Sequence, residues 1–155
     1  MTMNTDDQTK GALGRETMQI SWKVEYSLGV AEMDAEHVRM IEMMAKLESV
    51  DGRPDALRTV GKVINELVDY VEIHFKHEED LMEKAGYPHL ERHRAQHKVF
   101  AQKVLDMRSR ASLDARTVHQ FLQQWLGEHI LKADRDYVPY VQLWLDNRGA
   151  EGGLE

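Results

Sequence analysis

The sequence predicts an all-α protein, an up-down-up-down four-helix bundle with an N-terminal arm and loop and a short C-terminal helix. Three observations predict it. Four long segments carry apolar residues in steps of three and four, the period of a helix that buries one face. The connections between them are short, which favours antiparallel neighbours. No stretch alternates apolar and polar residues as a half-buried strand would.

Residues 1–19 lack apolar periodicity and read as a flexible N-terminal arm; 20–148 form the bundle domain, and 149–155, within "RGAEGGLE", read as a disordered tail. A loop with Trp22, Leu28, Gly29 and Val30 leads to Asp34, whose side chain is suited to N-cap the first helix. That helix carries Met33, Met40, Ile41, Met44 and Leu47 on one side, and "VDGRPD" breaks it. Pro54 suits the first turn of the second helix, where Val60, Val63, Ile64, Leu67, Val71, Leu81 and Ala85 form the stripe. From 54 to 85 it spans about 48 Å at ~1.5 Å per residue. Gly86 and Pro88 in "AGYP" end one helix and start the next. The third helix shows Leu90, Phe100, Val104 and Met107; Ser112 or Asp114 caps the fourth, with Val118, Phe121, Leu122 and Trp125 inward. The pattern turns irregular near Pro139, before a short terminal helix through Trp144 and Leu145.

Composition narrows the partners. A net charge of −7 disfavours nucleic acid and anionic membranes, which select basic faces. No apolar run approaches the ~20 residues that span a bilayer. Asp6 and Asp7 stand where a signal peptide would be basic and then apolar, so a cytoplasmic protein is expected. The chain has no cysteine, which excludes disulfides, thiolate metal sites and iron–sulfur clusters.

Polar residues interrupt all four stripes at core positions. His37 falls between Met33 and Met40; His74 follows Val71 by three, and Glu78 follows His74 by four; His93 and His97 sit between Leu90 and Phe100; His129 lies four after Trp125. One such histidine is ordinarily a core residue with a local hydrogen bond. Six together are another matter. Each unpaired buried polar group costs roughly 2–7 kcal/mol, against a folding stability of about 5–15 kcal/mol. A shared metal centre compensates them together. Imidazole with carboxylate and no sulfur suits iron, zinc, copper or nickel. So many donors exceed the four ligands of one tetrahedral zinc and suit two metals bridged by carboxylate.

The segments "WKVEYSLGVAEMDAEH", "HFKHEEDLM", "YPHLERHRAQHKVF" and "WLGEHILKADRDY", in that order, make the chain resemble the bacterial hemerythrins from about Trp22 to Trp144. The resemblance implies iron ligands at His37, His74, Glu78, His93, His97, His129 and Asp134. It implies two non-haem irons per chain, bridged by Glu78, Asp134 and an oxo or hydroxo group. His93, His97 and His129 would complete one iron, and His37 with His74 would leave an open position on the other. Phe75, Trp125, Leu126 and Ile130, with Met40 one turn after His37, would line an apolar dioxygen pocket. The resemblance gives no iron to His77 or His89, read here as flanking or exposed, and His119, off the Phe121–Trp125 stripe, reads as solvated. Asp134 lies five residues after His129, about 140° around an ideal helix, so for both to reach one metal the helix must end, bend or bulge between them, and a one-residue π-bulge is the form expected here.

The function implied is reversible dioxygen binding, for storage, buffering or delivery to an oxygen-consuming enzyme, with no catalysis of its own. A donor set dominated by neutral imidazole favours binding over oxygenation. The alternatives are an oxygen or redox sensor acting through a signalling partner, and a di-iron enzyme turning over peroxide or nitric oxide.

Overall fold

Gly29 adopts φ +73°, a left-handed conformation that only glycine takes readily, and so turns the loop into the first helix. The structure, a computed structural model, describes residues 21–50, 54–109 and 114–152. The predicted arm at 1–19, the candidate cap Ser112 and the last three residues of the tail lie outside these. The chain runs through a 3₁₀ turn, Val24–Tyr26, into α1 (Ala31–Ala45), α2 (Ala56–Lys84), α3 (Leu90–Ser109) and α4 (Ala115–Glu128). A π-helical segment, His129–Asp134, then joins α4 to α5 (Arg135–Gly152). No strand occurs among the described residues. The architecture is the expected helical bundle: α2 packs along α1 and α3, and α1 also meets α4.

The apolar stripes meet along the axis. Met33, Met44 and Leu47 of the first segment, Leu67 of α2 and Leu122 of α4 are almost wholly removed from solvent. Burying such side chains contributes about 1.5–3 kcal/mol each. Asp114 caps α4, accepting from the Thr117 backbone N–H at 2.7 Å.

Three expectations are corrected. Asp34 does not cap α1, which begins three residues earlier after Val30. From the first turn its carboxylate reaches back to accept from Ser27 Oγ (2.7 Å) and the Leu28 N–H (2.8 Å), holding the loop that Gly29 turns. His119 is not solvated. The buried stripe of α4 runs Ala115, Val118, His119, Leu122, Leu126, and Phe121 and Trp125 lie on its partly exposed flank. The His119 ring lies 3.4 Å from Glu48 Oε1. The expected C-terminal helix runs on from the π segment to Gly152, so residues 149–152 of the expected disordered tail are helical. Pro139 lies inside it, where its missing N–H forgoes one helical hydrogen bond.

Candidate metal centre

α2 and α3 each present a pair of polar side chains one turn apart, His74 with Glu78 and His93 with His97, on the faces they turn to the bundle axis. α1 adds His37, and the π segment adds His129 and Asp134. A π turn spaces equivalent positions by more than four residues, so it brings His129 and Asp134 onto one face where an α-helix would part them. The segment spans six residues, about one π turn, which is what a one-residue bulge produces. All seven side chains are buried, His129 the least at 7% exposed.

They form two groups that share Glu78. One contains Glu78, His93, His97, His129 and Asp134; the other contains His37, His74 and Glu78, with the donor atoms of each within 4.8 Å of one another. Glu78 Oε1 faces His93 Nε2 (2.9 Å) and His97 Nε2 (3.0 Å). Its Oε2 faces His74 Nε2 (3.5 Å) and His37 Nε2 (3.7 Å). Asp134 divides the same way: Oδ1 faces His129 (3.0 Å) and His93 (3.1 Å), and Oδ2 faces His37 (3.2 Å). Glu78 therefore gives one oxygen to the three-imidazole set, with His129 at 3.9 Å, and the other to the two-imidazole set, while Asp134 gives Oδ1 to two of the three and Oδ2 to His37.

This arrangement fits a metal better than a hydrogen-bond network. Ligands about 2.1 Å from one ion and at right angles stand about 3.0 Å apart, close to the separations here. Both nitrogens of His37 and both oxygens of Asp134 are buried without a hydrogen-bond partner, although His37 Nε2 and Asp134 Oδ2 are 3.2 Å apart. They are aimed past one another, toward a common interior point. The Nε2 atoms of His97 and His129 face each other at 3.1 Å, where a neutral pair sets one lone pair against another unless one ring carries its proton on Nε2 and donates it.

The electrostatics show the same demand for positive charge. Burial disfavours the imidazolium of His37 and of His129, yet the Asp134 and Glu78 carboxylates outweigh it and push the two rings up to about 10 and about 9. His93 is raised against burial for the same reason. Burial alone would raise Glu78 and Asp134, but the surrounding imidazoles hold both below the usual carboxylate range. In the metal-free chain protons supply the charge that cations can supply in their place.

Further residues support the cluster. Glu36, just before His37, stands between His74 Nδ1 and His77 Nδ1, 2.9 Å from each. Glu79 does the same for His97 Nδ1 at 3.2 Å and is itself held by Arg94 Nε at 3.1 Å. With a carboxylate behind Nδ1, the ring carries its proton there and turns the Nε2 lone pair inward. Tyr137 donates its hydroxyl to Glu78 Oε2 at 3.1 Å. Sequence reasoning missed all three. Tyr137 follows Asp134 by three, a helical spacing that would have nominated it. Glu36 and Glu79 are sequence neighbours of cluster residues, but their partners are on other helices. His77 is largely exposed apart from its contact to Glu36, and His89 is exposed, as expected.

Of the expected apolar pocket, two members touch cluster rings. Phe75 stacks on His97 (centroids 3.7 Å, planes 3° apart), and Trp125 stacks on His129 (4.4 Å, 14°). Met40, Leu126 and Ile130 are buried in the surrounding core. A cleft of about 280 Å³ opens onto His93 and His129 between Tyr87, Arg92, Trp125 and Lys132. No helix among the described residues is long and apolar enough to cross a membrane.

Residues 28–141 match the model of the hemerythrin HHE cation-binding domain. The chain is similar to a bacteriohemerythrin of Stenotrophomonas maltophilia, 35% identical over 84% of this chain and 86% of that one. A bacteriohemerythrin of Clostridium acetobutylicum is 32% identical over 76% of this chain and 97% of its own length. A hemerythrin-like protein of Naegleria gruberi is 29% identical over 76% and 89%.

Proposed function

Because the chain belongs to the hemerythrin family of metal-binding helical bundles, we propose that its buried cluster holds two non-haem irons and binds dioxygen reversibly. His93, His97 and His129 would hold one iron, His37 and His74 the other, and Glu78 and Asp134 would bridge them. When bound, the iron pair supplies the reversible two-electron chemistry with dioxygen. The observation that carries this reading is the unequal division of imidazoles, three against two, around shared carboxylates. If each iron takes six ligands, one position would stay open, on the two-histidine side.

The protein's own groups have three tasks. The carboxylates of Glu78 and Asp134 offset cationic charge that would otherwise be costly to bury. The Nδ1 contacts to Glu36 and Glu79 fix the orientation and tautomer of His74 and His97, one ring from each set. Tyr137 holds Glu78 Oε2 in place from its buried position on α5. Phe75 and Trp125, against the rings of His97 and His129, keep an apolar surface beside the cluster that limits access of water and anions.

The reading is tested by reversible oxygenation. The purified, iron-loaded chain should take up one dioxygen per two irons and develop a visible absorption band in air that vanishes under argon. A chain with two irons and no reversible band would retain the centre and overturn the carrier function.

A further inference from the structure

Tyr137, Tyr87 and Tyr140 form a ladder of oxidisable rings from the buried cluster to the surface. Tyr137 is 0% exposed, its hydroxyl bonded to Glu78 Oε2 and its ring 5.8 Å from that of His93. Tyr87, 6% exposed, meets Tyr137 edge-on with centroids 6.4 Å apart. Tyr140, 42% exposed, meets Tyr87 edge-on at 5.3 Å. Two other rings stack on the cluster and both lead elsewhere: Phe75, on His97, continues edge-on to Phe100, and Trp125, on His129, also stacks on Phe100, and phenylalanine is not oxidised at potentials tyrosine reaches. Electron tunnelling falls steeply with distance, so rings in contact carry a charge outward in short hops that one long jump cannot match.

We propose that this ladder conducts oxidising equivalents from the cluster to Tyr140 when the site meets hydrogen peroxide, so that damage falls on a replaceable surface phenol and spares the buried ligands. The proposal rests on the di-iron reading above. With the irons ferric at the start and at the end, one hydrogen peroxide takes two electrons and two protons and leaves as two waters. Two tyrosines each give one electron and one proton and become phenoxyl radicals. Tyr137 has an acceptor for its hydroxyl proton in Glu78, and Tyr140 releases its proton to solvent. A second hop onto each oxidised ring returns its hydrogen and moves the radical outward. At the surface a one-electron donor such as ascorbate returns the Tyr140 radical to the phenol, twice for each peroxide; without a donor, Tyr140 radicals of separate chains couple to dityrosine and each chain's second equivalent stays on Tyr87 or Tyr137.

The test is to mix the iron-loaded ferric protein with hydrogen peroxide, record electron paramagnetic resonance after freeze-quenching, and map spin-trap adducts by peptide mass spectrometry. Iron content and reversible oxygenation are measured on the same preparations. The wild type should give a tyrosyl signal and an adduct at Tyr140. Tyr87→Phe, with unchanged iron and helix content, should lose that adduct by an order of magnitude. Trp125→Phe, which removes the oxidisable ring stacked on His129, should leave it unchanged. In Tyr140→Phe, a change at an exposed ring that spares the core, the radical should persist several-fold longer. An equal Tyr140 adduct in Tyr87→Phe or in iron-free protein, an unaltered radical lifetime in Tyr140→Phe, or an adduct that depends on Trp125 would overturn the ladder. No radical in a chain that holds two irons and oxygenates reversibly would overturn the ladder alone; no iron would overturn both readings.

Discussion

Asp134 Oδ1 lies 3.0 Å from His129 Nε2 although five residues separate them, because the backbone between them is π-helical. Inserting one alanine into that segment, after exposed Lys132, would lengthen the step to six residues and rotate Asp134 by about 100° away from His129. The expected outcome is a folded bundle that holds less than half of the wild-type metal, read by circular dichroism alongside iron analysis. An insertion that kept full loading would show that the π turn does not place Asp134.

Glu36 stands 2.9 Å behind His74, which belongs to the two-histidine set. Burial alone would raise its carboxyl, but His74 and His77 hold it below the ordinary range, so it faces them as an anion. Loss of a carboxylate in that role typically weakens metal affinity about 10–100-fold. Glu36→Ala should show such a loss in competitive metal titration, with a smaller loss in Glu36→Gln, which keeps an acceptor without the charge.

Phe75 is buried and stacked on His97. Phe75→Ala should destabilise the fold by about 3–5 kcal/mol, the transfer and cavity terms combined. It should also admit water beside the cluster and shorten the lifetime of the oxygenated form. Urea denaturation reads the first effect, and decay of the visible band in air reads the second.

The pH dependence of stability should differ between the metal-free and loaded chains. In the metal-free chain His37 and His129 have folded values of about 10 and about 9 against an ordinary 6.5. Raised values stabilise fully below the unfolded value, and the contribution is lost as pH climbs through the folded ones. Glu78 and Asp134 are depressed, so their contribution is present above the ordinary carboxylate range and lost as pH falls. The metal-free chain should therefore be most stable at mildly acidic pH and weaken from about pH 6.5 upward. Metal replaces the imidazole protons, so the loaded chain should hold its stability through that window and lose metal in acid. Urea midpoints for both forms across the range check this; parallel profiles would contradict it.

Six of the seven cluster residues are legible in the sequence because each occupies a helical core position, and position along a helix fixes the face a side chain presents; Asp134 is reached only through the family resemblance. Its five-residue step from His129 signals a break in regular α-helix, and the π turn is the form that break takes. What failed depended on partners from other segments. Asp34 has the right chemistry for a cap, but the loop after Tyr26 folds back into its reach. The burial of His119 is hidden in the sequence because the large rings of Phe121 and Trp125 suggest a stripe centred on them, whereas the buried face centres on Val118, His119 and Leu122. Glu36 and Glu79 gave no signal of their own, since nothing in one helix says which imidazole the next will set beside it.

Diffraction at the iron absorption edge from crystals of the loaded protein tests the central claim most directly. The account predicts two iron peaks, one among His93, His97 and His129 and one beside His37 and His74, each touching an oxygen of both Glu78 and Asp134. A single peak, or two peaks that do not share those carboxylates, would contradict it.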